Sequence, residues 1–142
     1  MIQAYWDSSA LVALCVTQPA STRFKAWAKQ FGIVAWWATH TEVYGAIARL
    51  HRSNELNDVE RLVAVDRLEL LGQEWDQVEP NDAVRYEATR VHDRYSLRSA
   101  DALQLAAALV WCRNRPAGRT FLCADGRLIR AAAQAGFIVP GP

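Results

Sequence analysis

Short apolar stretches rich in β formers, each handing over to residues that open a helix, constrain this chain more than any other feature. Residues 2–6 lead into Asp7-Ser8-Ser9, residues 33–37 into Thr39, residues 75–78 into Pro80-Asn81-Asp82, and residues 120–123 into Asp125-Gly126. Each handover pairs a strand-like run with N-cap chemistry, so the strands must alternate with helices. Such alternation predicts an α/β layer sandwich with a mainly parallel sheet, because parallel neighbours need a crossover that a helix supplies. A fifth apolar run, residues 137–139, follows Gly136 and is the last strand candidate.

Between the strands, helices are expected at about 22–30, ended by Gly32, and then at 39–52, where Val43, Ala46, Ile47 and Leu50 share one face. The segment 57–74 continues as the second arm of a helical hairpin. Further helices are expected at about 80–95, from Ser99 to before Arg115-Pro116, and after Asp125 until Gly136. There are 24 Ala against 7 Gly and 5 Pro, a balance that favours helices over a turn-dense all-β fold. With 142 residues, 51% of them hydrophobic, the chain is expected to form a single domain, 1–142.

Sixteen Lys plus Arg stand against fifteen Asp plus Glu, a net charge of +1, so bulk electrostatics name no partner. Three cysteines, Cys15, Cys112 and Cys123, form neither an even disulfide set nor a CxxC motif, which points to a reducing, cytoplasmic setting. No leader-like N-terminus and no run of ~20 apolar residues is present, so no membrane association is expected. Glycine-rich phosphate loops are absent. His40-Thr41-Glu42 matches half of a zinc-deaminase signature, but no PCxxC follows it.

The informative feature is where the acids fall. Most of them, such as Glu55, Asp58, Glu60 and Glu87, sit on polar helix faces or in turns. Asp7, Glu42, Asp101 and Asp125 instead stand beside residues that should be buried. Taken singly, each has a structural explanation: Asp7 and Asp125 as N-caps, Thr39-x-x-Glu42 as a capping box, and Asp101 as a complement to the helix dipole. Taken together, all four fall where strand C-termini and following helix N-termini share one edge, the edge at which such folds bind ligands. Two carboxylates ~6 Å apart at an effective dielectric of ~20 repel by about 3 kcal/mol, which calls for raised pKa values or a bound cation. An all-oxygen set without a His or thiolate cluster favours Mg²⁺ or Mn²⁺ and suits phosphate-ester chemistry.

These residues carry a resemblance. The chain resembles PIN-domain ribonucleases, and within them the VapC-type toxins of bacterial toxin–antitoxin pairs. It does so through Tyr5-Trp6-Asp7-Ser8-Ser9-Ala10-Leu11, Thr41-Glu42-Val43, Leu97-Arg98-Ser99-Ala100-Asp101-Ala102-Leu103-Gln104-Leu105-Ala106 and Phe121-Leu122-Cys123-Ala124-Asp125-Gly126-Arg127-Leu128. No one motif is specific, but four in this order and spacing span the whole chain. The resemblance implies a three-layer α/β/α fold with a parallel sheet of about five strands. It also implies a Mg²⁺- or Mn²⁺-dependent endoribonuclease that hydrolyses RNA phosphodiester bonds with a metal-activated water. Asp7, Glu42, Asp101 and Asp125 match the family's acidic quartet, with the first three holding the principal ion and Asp125 assisting. Ser9 matches a supporting polar position. Cys123 stands where the family commonly has Thr or Ser, and a thiol is the weaker hydrogen-bond partner.

Fourteen of the sixteen basic residues are Arg, and Arg98 and Arg127 adjoin two of the acids, which makes them the candidates for holding RNA phosphate. The six tryptophans are expected in the core or at interfaces rather than stacking on bases. The resemblance further implies a cognate antitoxin and a homodimer; apolar helix surface between residues 39 and 71 is the sequence feature that could receive such a partner. The competing reading is a noncatalytic α/β interaction module whose four acids are only caps.

Overall fold

The chain is described by a computed structural model over residues 1–141. Apolar β formers and helix-capping residues alternate along it as the sequence suggests. The elements are β1 (Ile2–Trp6), α1 (Ser8–Cys15), α2 (Ser21–Ala28), β2 (Phe31–Trp36), α3 (Thr39–Arg52), α4 (Asp58–Glu74), β3 (Asp76–Val78), α5 (Asp82–Arg94), α6 (Ser99–Trp111), β4 (Phe121–Leu122) and α7 (Gly126–Ala135). Helix starts are stapled by side chains: Asp7 caps α1, Asn57 and Glu60 form a reciprocal capping box on α4, and Asn81 and Asp125 cap α5 and α7.

The sheet has the order β3-β2-β1-β4 and every pairing is parallel. Successive residues of a strand point to opposite faces, and each face builds its own core. Tyr5, Val34, Trp36 and Phe121 pack with α5, α6 and α7, whereas Ala4, Trp6, Ala35 and Leu122 pack with α1 to α4. The result is the expected three-layer α/β/α arrangement. Helix α6 is buried from Ala102 to Leu109 except at Leu103, and its Ala106-Ala107-Ala108 run keeps its surface low where α5 and the sheet lie against it. Full burial of residues such as Leu105 and Leu128 is worth about 1.5–3 kcal/mol each.

Four strands form rather than about five. The fifth run contributes only a single parallel bridge, Thr120 to Ile138, through Phe121 N–H to Ile138 O (2.9 Å) and Ile138 N–H to Arg119 O (2.8 Å). It is hemmed in by Gly136, which ends α7 in the left-handed region (φ 114°), and by Pro140, which has no N–H to offer a ladder. Gly32 also departs from expectation. It lies inside β2, paired with Gln3, and α2 stops earlier at its Lys29 cap. Helix α6 ends at Trp111, and Arg113 and Asn114 then take left-handed conformations that turn the chain before Pro116. Trp6, Trp36 and Trp75 are buried, while Trp37 is 53% exposed just beyond β2. Among the described residues, no helix is long and apolar enough to cross a membrane.

Candidate active site

Parallel pairing aligns the C-terminal ends of β1, β2 and β4, and the segments leaving them carry Asp7, Glu42 and Asp125, while Asp101 comes from the first turn of α6. Asp7 follows β1 directly, with its backbone N–H donating to Leu122 O at the end of β4 (3.0 Å). Only 3% of Asp7 is exposed. Its Oδ1 accepts from Ser9 N–H (2.8 Å) and the Ser8 hydroxyl (3.2 Å), and its Oδ2 accepts from the Ser9 hydroxyl (2.6 Å). The cap predicted for Asp7 is therefore real, but burial still pushes its carboxyl above the ordinary value against the pull of these donors.

Ser9 does more than support Asp7. Its Oγ also accepts from Ala124 N–H (2.8 Å), tying the start of α1 to the loop after β4. Cys123 Sγ lies 3.7 Å from the same oxygen and accepts from Asp125 N–H (3.2 Å), so the thiol takes over the bridging position expected of a hydroxyl. Burial drives its thiol far above the usual range, which keeps it protonated. Asp125 caps α7 with one oxygen, Oδ1, which accepts from Arg127 N–H (3.0 Å) and Leu128 N–H (3.2 Å).

Glu42 does not form the capping box with Thr39. The N-cap of α3 is Ala38, which makes no side-chain bond, and Thr39 is fully buried. Both side chains turn instead to Gln104 of α6, whose Nε2 donates to Glu42 Oε1 (2.7 Å) and to Thr39 Oγ1 (3.0 Å). Gln104 Oε1 accepts from the Tyr5 hydroxyl (2.6 Å) beneath the sheet edge. A carboxylate needs a donor and a phenol O–H needs an acceptor, so the amide can serve both in one orientation. This buried network was missed at the sequence level. Its signal was Gln104 itself, the one polar residue besides Asp101 in the segment 100–112.

Glu42 is pushed up to about 7, first by burial and then by the charges of Asp7 and Asp101, against the Gln104 bond that lowers it. Asp101, half-buried in the first turn of α6, is raised by burial and by Asp125 and Asp7, with Arg98 and Arg127 pulling the other way. Glu42 and Asp101 thus both feel the charges of other acids at the same edge. Arg98 and Arg127 stand close enough to be felt as well.

Yet among the described residues no three His, Cys, Asp or Glu side chains close into a ready ligand cage. Both Asp7 oxygens, Asp125 Oδ1 and Glu42 Oε1 accept hydrogen bonds, leaving Glu42 Oε2, Asp125 Oδ2 and both Asp101 oxygens without them among the described residues. In donor chemistry the set fits a hard divalent cation: all-oxygen, with Glu42 and Asp101 raised by burial and by neighbouring carboxylates. A hollow of about 390 Å³ opens beside Glu42 and is bounded by Ser8, Ser9, Gln18, Arg49 and Ala124. A larger hollow, about 670 Å³, lies elsewhere, between the end of α1 and helix α4.

Comparison with known proteins bears on the fold and the family. No curated protein matches the chain. Among solved structures, FitAcB from Neisseria gonorrhoeae superposes with a TM-score of 0.66 at 19% identity, covering 98% of this chain and 96% of that one. PAE2754 from Pyrobaculum aerophilum gives 0.62 at 20% identity over 97% and 89%. FitAB bound to an IR36 DNA fragment gives 0.64 at 18% over 98% and 94%. At these identities the likeness is one of fold. The family model of the PIN domain matches residues 4–133, a span that holds β2 to β4, most of β1 and all four acids, and so the chain belongs to the PIN-domain family.

Proposed function

We propose that this chain is a metal-dependent endoribonuclease and the toxin of a VapC-type toxin–antitoxin pair. The observation that carries this reading is the meeting of acids from the ends of β1 and β4 and from α3 and α6 at one sheet edge, with unrelieved charge between them. Asp7, Glu42 and Asp101 would hold the principal Mg²⁺ or Mn²⁺, and Asp125 would assist it or a second ion. Such an ion supplies an activated water and positive charge at the leaving oxygen of a phosphodiester.

The chain's own residues set the stage for that chemistry. Gln104 fixes the rotamer of Glu42, Ser9 fixes that of Asp7, and Cys123 holds the loop that presents Asp125. Arg98 and Arg127 bind the phosphate that the acids alone would repel, which places the RNA strand against the crevice. The apolar hollow between α1 and α4, with Val59, Leu62 and Val63 exposed on its helix, offers a seat for an apolar segment of the antitoxin. A cytoplasmic homodimer completes the reading.

Asp101 makes no hydrogen bond among the described residues, so Asp101→Asn removes charge and nothing else. Asp7→Asn keeps the cap and likewise removes charge. Both variants are expected to keep the wild-type fold by circular dichroism, to lose RNA cleavage and growth inhibition, and to lose the rise in melting temperature on adding Mn²⁺. Two observations favour the noncatalytic reading, since Asp7 and Asp125 do cap helices. Unchanged cleavage in Asp101→Asn would remove the metal-site assignment, and no cleavage by the wild type together with no Mn²⁺ shift would decide for the noncatalytic reading.

A further inference from the structure

A second hollow, of about 400 Å³, lies between the α5–α6 connection and helix α7, and its charged lining is entirely basic. Arg94 comes from the last turn of α5, and Arg127 and Arg130 come from α7, where positions 127, 130 and 134 share one face. All three arginines are exposed and pair with no carboxylate among the described residues, although Arg85 and Arg90 on α5 do find one. Arginine without a partner at a concave surface is costly in self-repulsion and is the residue type best matched to phosphate. Tyr95 and Ser96 add a half-buried ring and a hydroxyl to the same wall.

Arg127 relates the hollow to the acidic edge. Arg127 lines it and at the same time acts on Asp101. Arg130 folds back over the start of α7, where a Cβ added to Gly126 would stand 3.5 Å from its Nη1. The segment after Leu97, on the opposite wall, runs directly into Arg98 and the α6 turn that carries Asp101.

We propose that Arg94, Arg127 and Arg130 form a phosphate-binding subsite that holds the backbone of single-stranded RNA one or more nucleotides away from the bond being cut. The subsite rests on the ribonuclease reading for the identity of its ligand. Three arginines lining one hollow beside a ring serve a strand of regularly spaced phosphates with stackable bases better than a single anion.

Binding of a fluorescent 12-nucleotide single-stranded RNA, measured by anisotropy in EDTA so that nothing is cleaved, tests the subsite. For single strands each phosphate contact contributes about 0.7 to the log–log salt slope, or roughly five-fold in affinity at 0.1 M salt. The double variant Arg94→Ala/Arg130→Ala should therefore bind about 25-fold more weakly and with a slope shallower by about 1.4. Arg85→Ala/Arg113→Ala, which changes net charge equally outside the hollow, should lose far less, and Arg94→Lys/Arg130→Lys should recover most of the binding. Equal losses in the two alanine variants, no loss in the first, no RNA binding by the wild type, or tighter binding of poly-glutamate or duplex DNA of matched length would overturn the proposal. Cleavage of the same RNA with Mn²⁺ separates the two readings. Binding that depends on Arg94 and Arg130 without any cleavage would leave the subsite standing and remove the nuclease. Cleavage with binding indifferent to these arginines would do the reverse.

Discussion

Replacing Gln104 by Leu tests the polar network beneath the acidic edge. The substitution keeps roughly the volume of a fully buried side chain but deletes three hydrogen bonds, at 2.6, 2.7 and 3.0 Å. Tyr5 and Thr39, both without solvent contact, are left with hydroxyls short of a partner. A buried polar group stripped of its partner costs about 1–3 kcal/mol, so these two together cost about 2–6 kcal/mol. Glu42 is only half-buried and can turn to water, so it adds little. Tyr5→Phe alone strands the Gln104 Oε1 and costs about 1–3 kcal/mol by the same reasoning. In the double variant neither the stranded phenol nor the stranded Gln104 Oε1 exists, so the two single losses must sum to more than the double costs, by about 2–6 kcal/mol. Urea unfolding followed by circular dichroism, at constant m-value, measures all three changes. Additivity within about 0.5 kcal/mol would refute the network as a unit and, with it, the role of Gln104 in setting Glu42.

The remaining predictions concern charge, backbone and thiols. Glu42 is pushed up to about 7 from 4.5, so between those values the folded chain keeps a proton that the unfolded chain has lost, and stability must fall as pH rises through that window. The full shift would correspond to about 3 kcal/mol, which solvent exposure reduces to about 1–2; urea midpoints at pH 5 and pH 8 check the direction, and millimolar Mn²⁺ at pH 8 should restore the loss. Gly136→Ala forces an L side chain to φ 114° with its Cβ 3.1 Å from Pro116 Cγ, so it should destabilise by at least about 1 kcal/mol and lower the melting temperature. All three cysteines are buried and their thiols are pushed upward, Cys15 to about 12, so iodoacetamide at pH 8 should label none of them in the native chain and all of them in urea.

Several elements were legible in advance because their causes are local. Asp7-Ser8-Ser9 and Asp125-Gly126 carry their cap chemistry within three residues, and the structure shows both caps. Gly136 stops α7 because a left-handed cap needs a residue without a Cβ. Where Gly32 was read as a helix stop, the deciding factor was distant: pairing with Gln3, 29 positions away in the chain, recruits it into β2. The Thr39–Glu42 box failed for a similar reason, since its local bond lost to a buried amide on α6 that no local pattern announces.

The sequence by itself determined the order of strands and helices, the parallel sheet and the placement of four acids at helix starts, because short-range sterics, capping and hydrophobic alternation act within a few residues. Only the tertiary structure decided that those acids share one charge field, that Gln104 ties Glu42 to Tyr5, that the last strand shrinks to one bridge, and that Arg94, Arg127 and Arg130 face a common hollow. These depend on which faces meet after the sheet closes, and Coulomb and hydrogen-bond energies act across space without regard to separation along the chain.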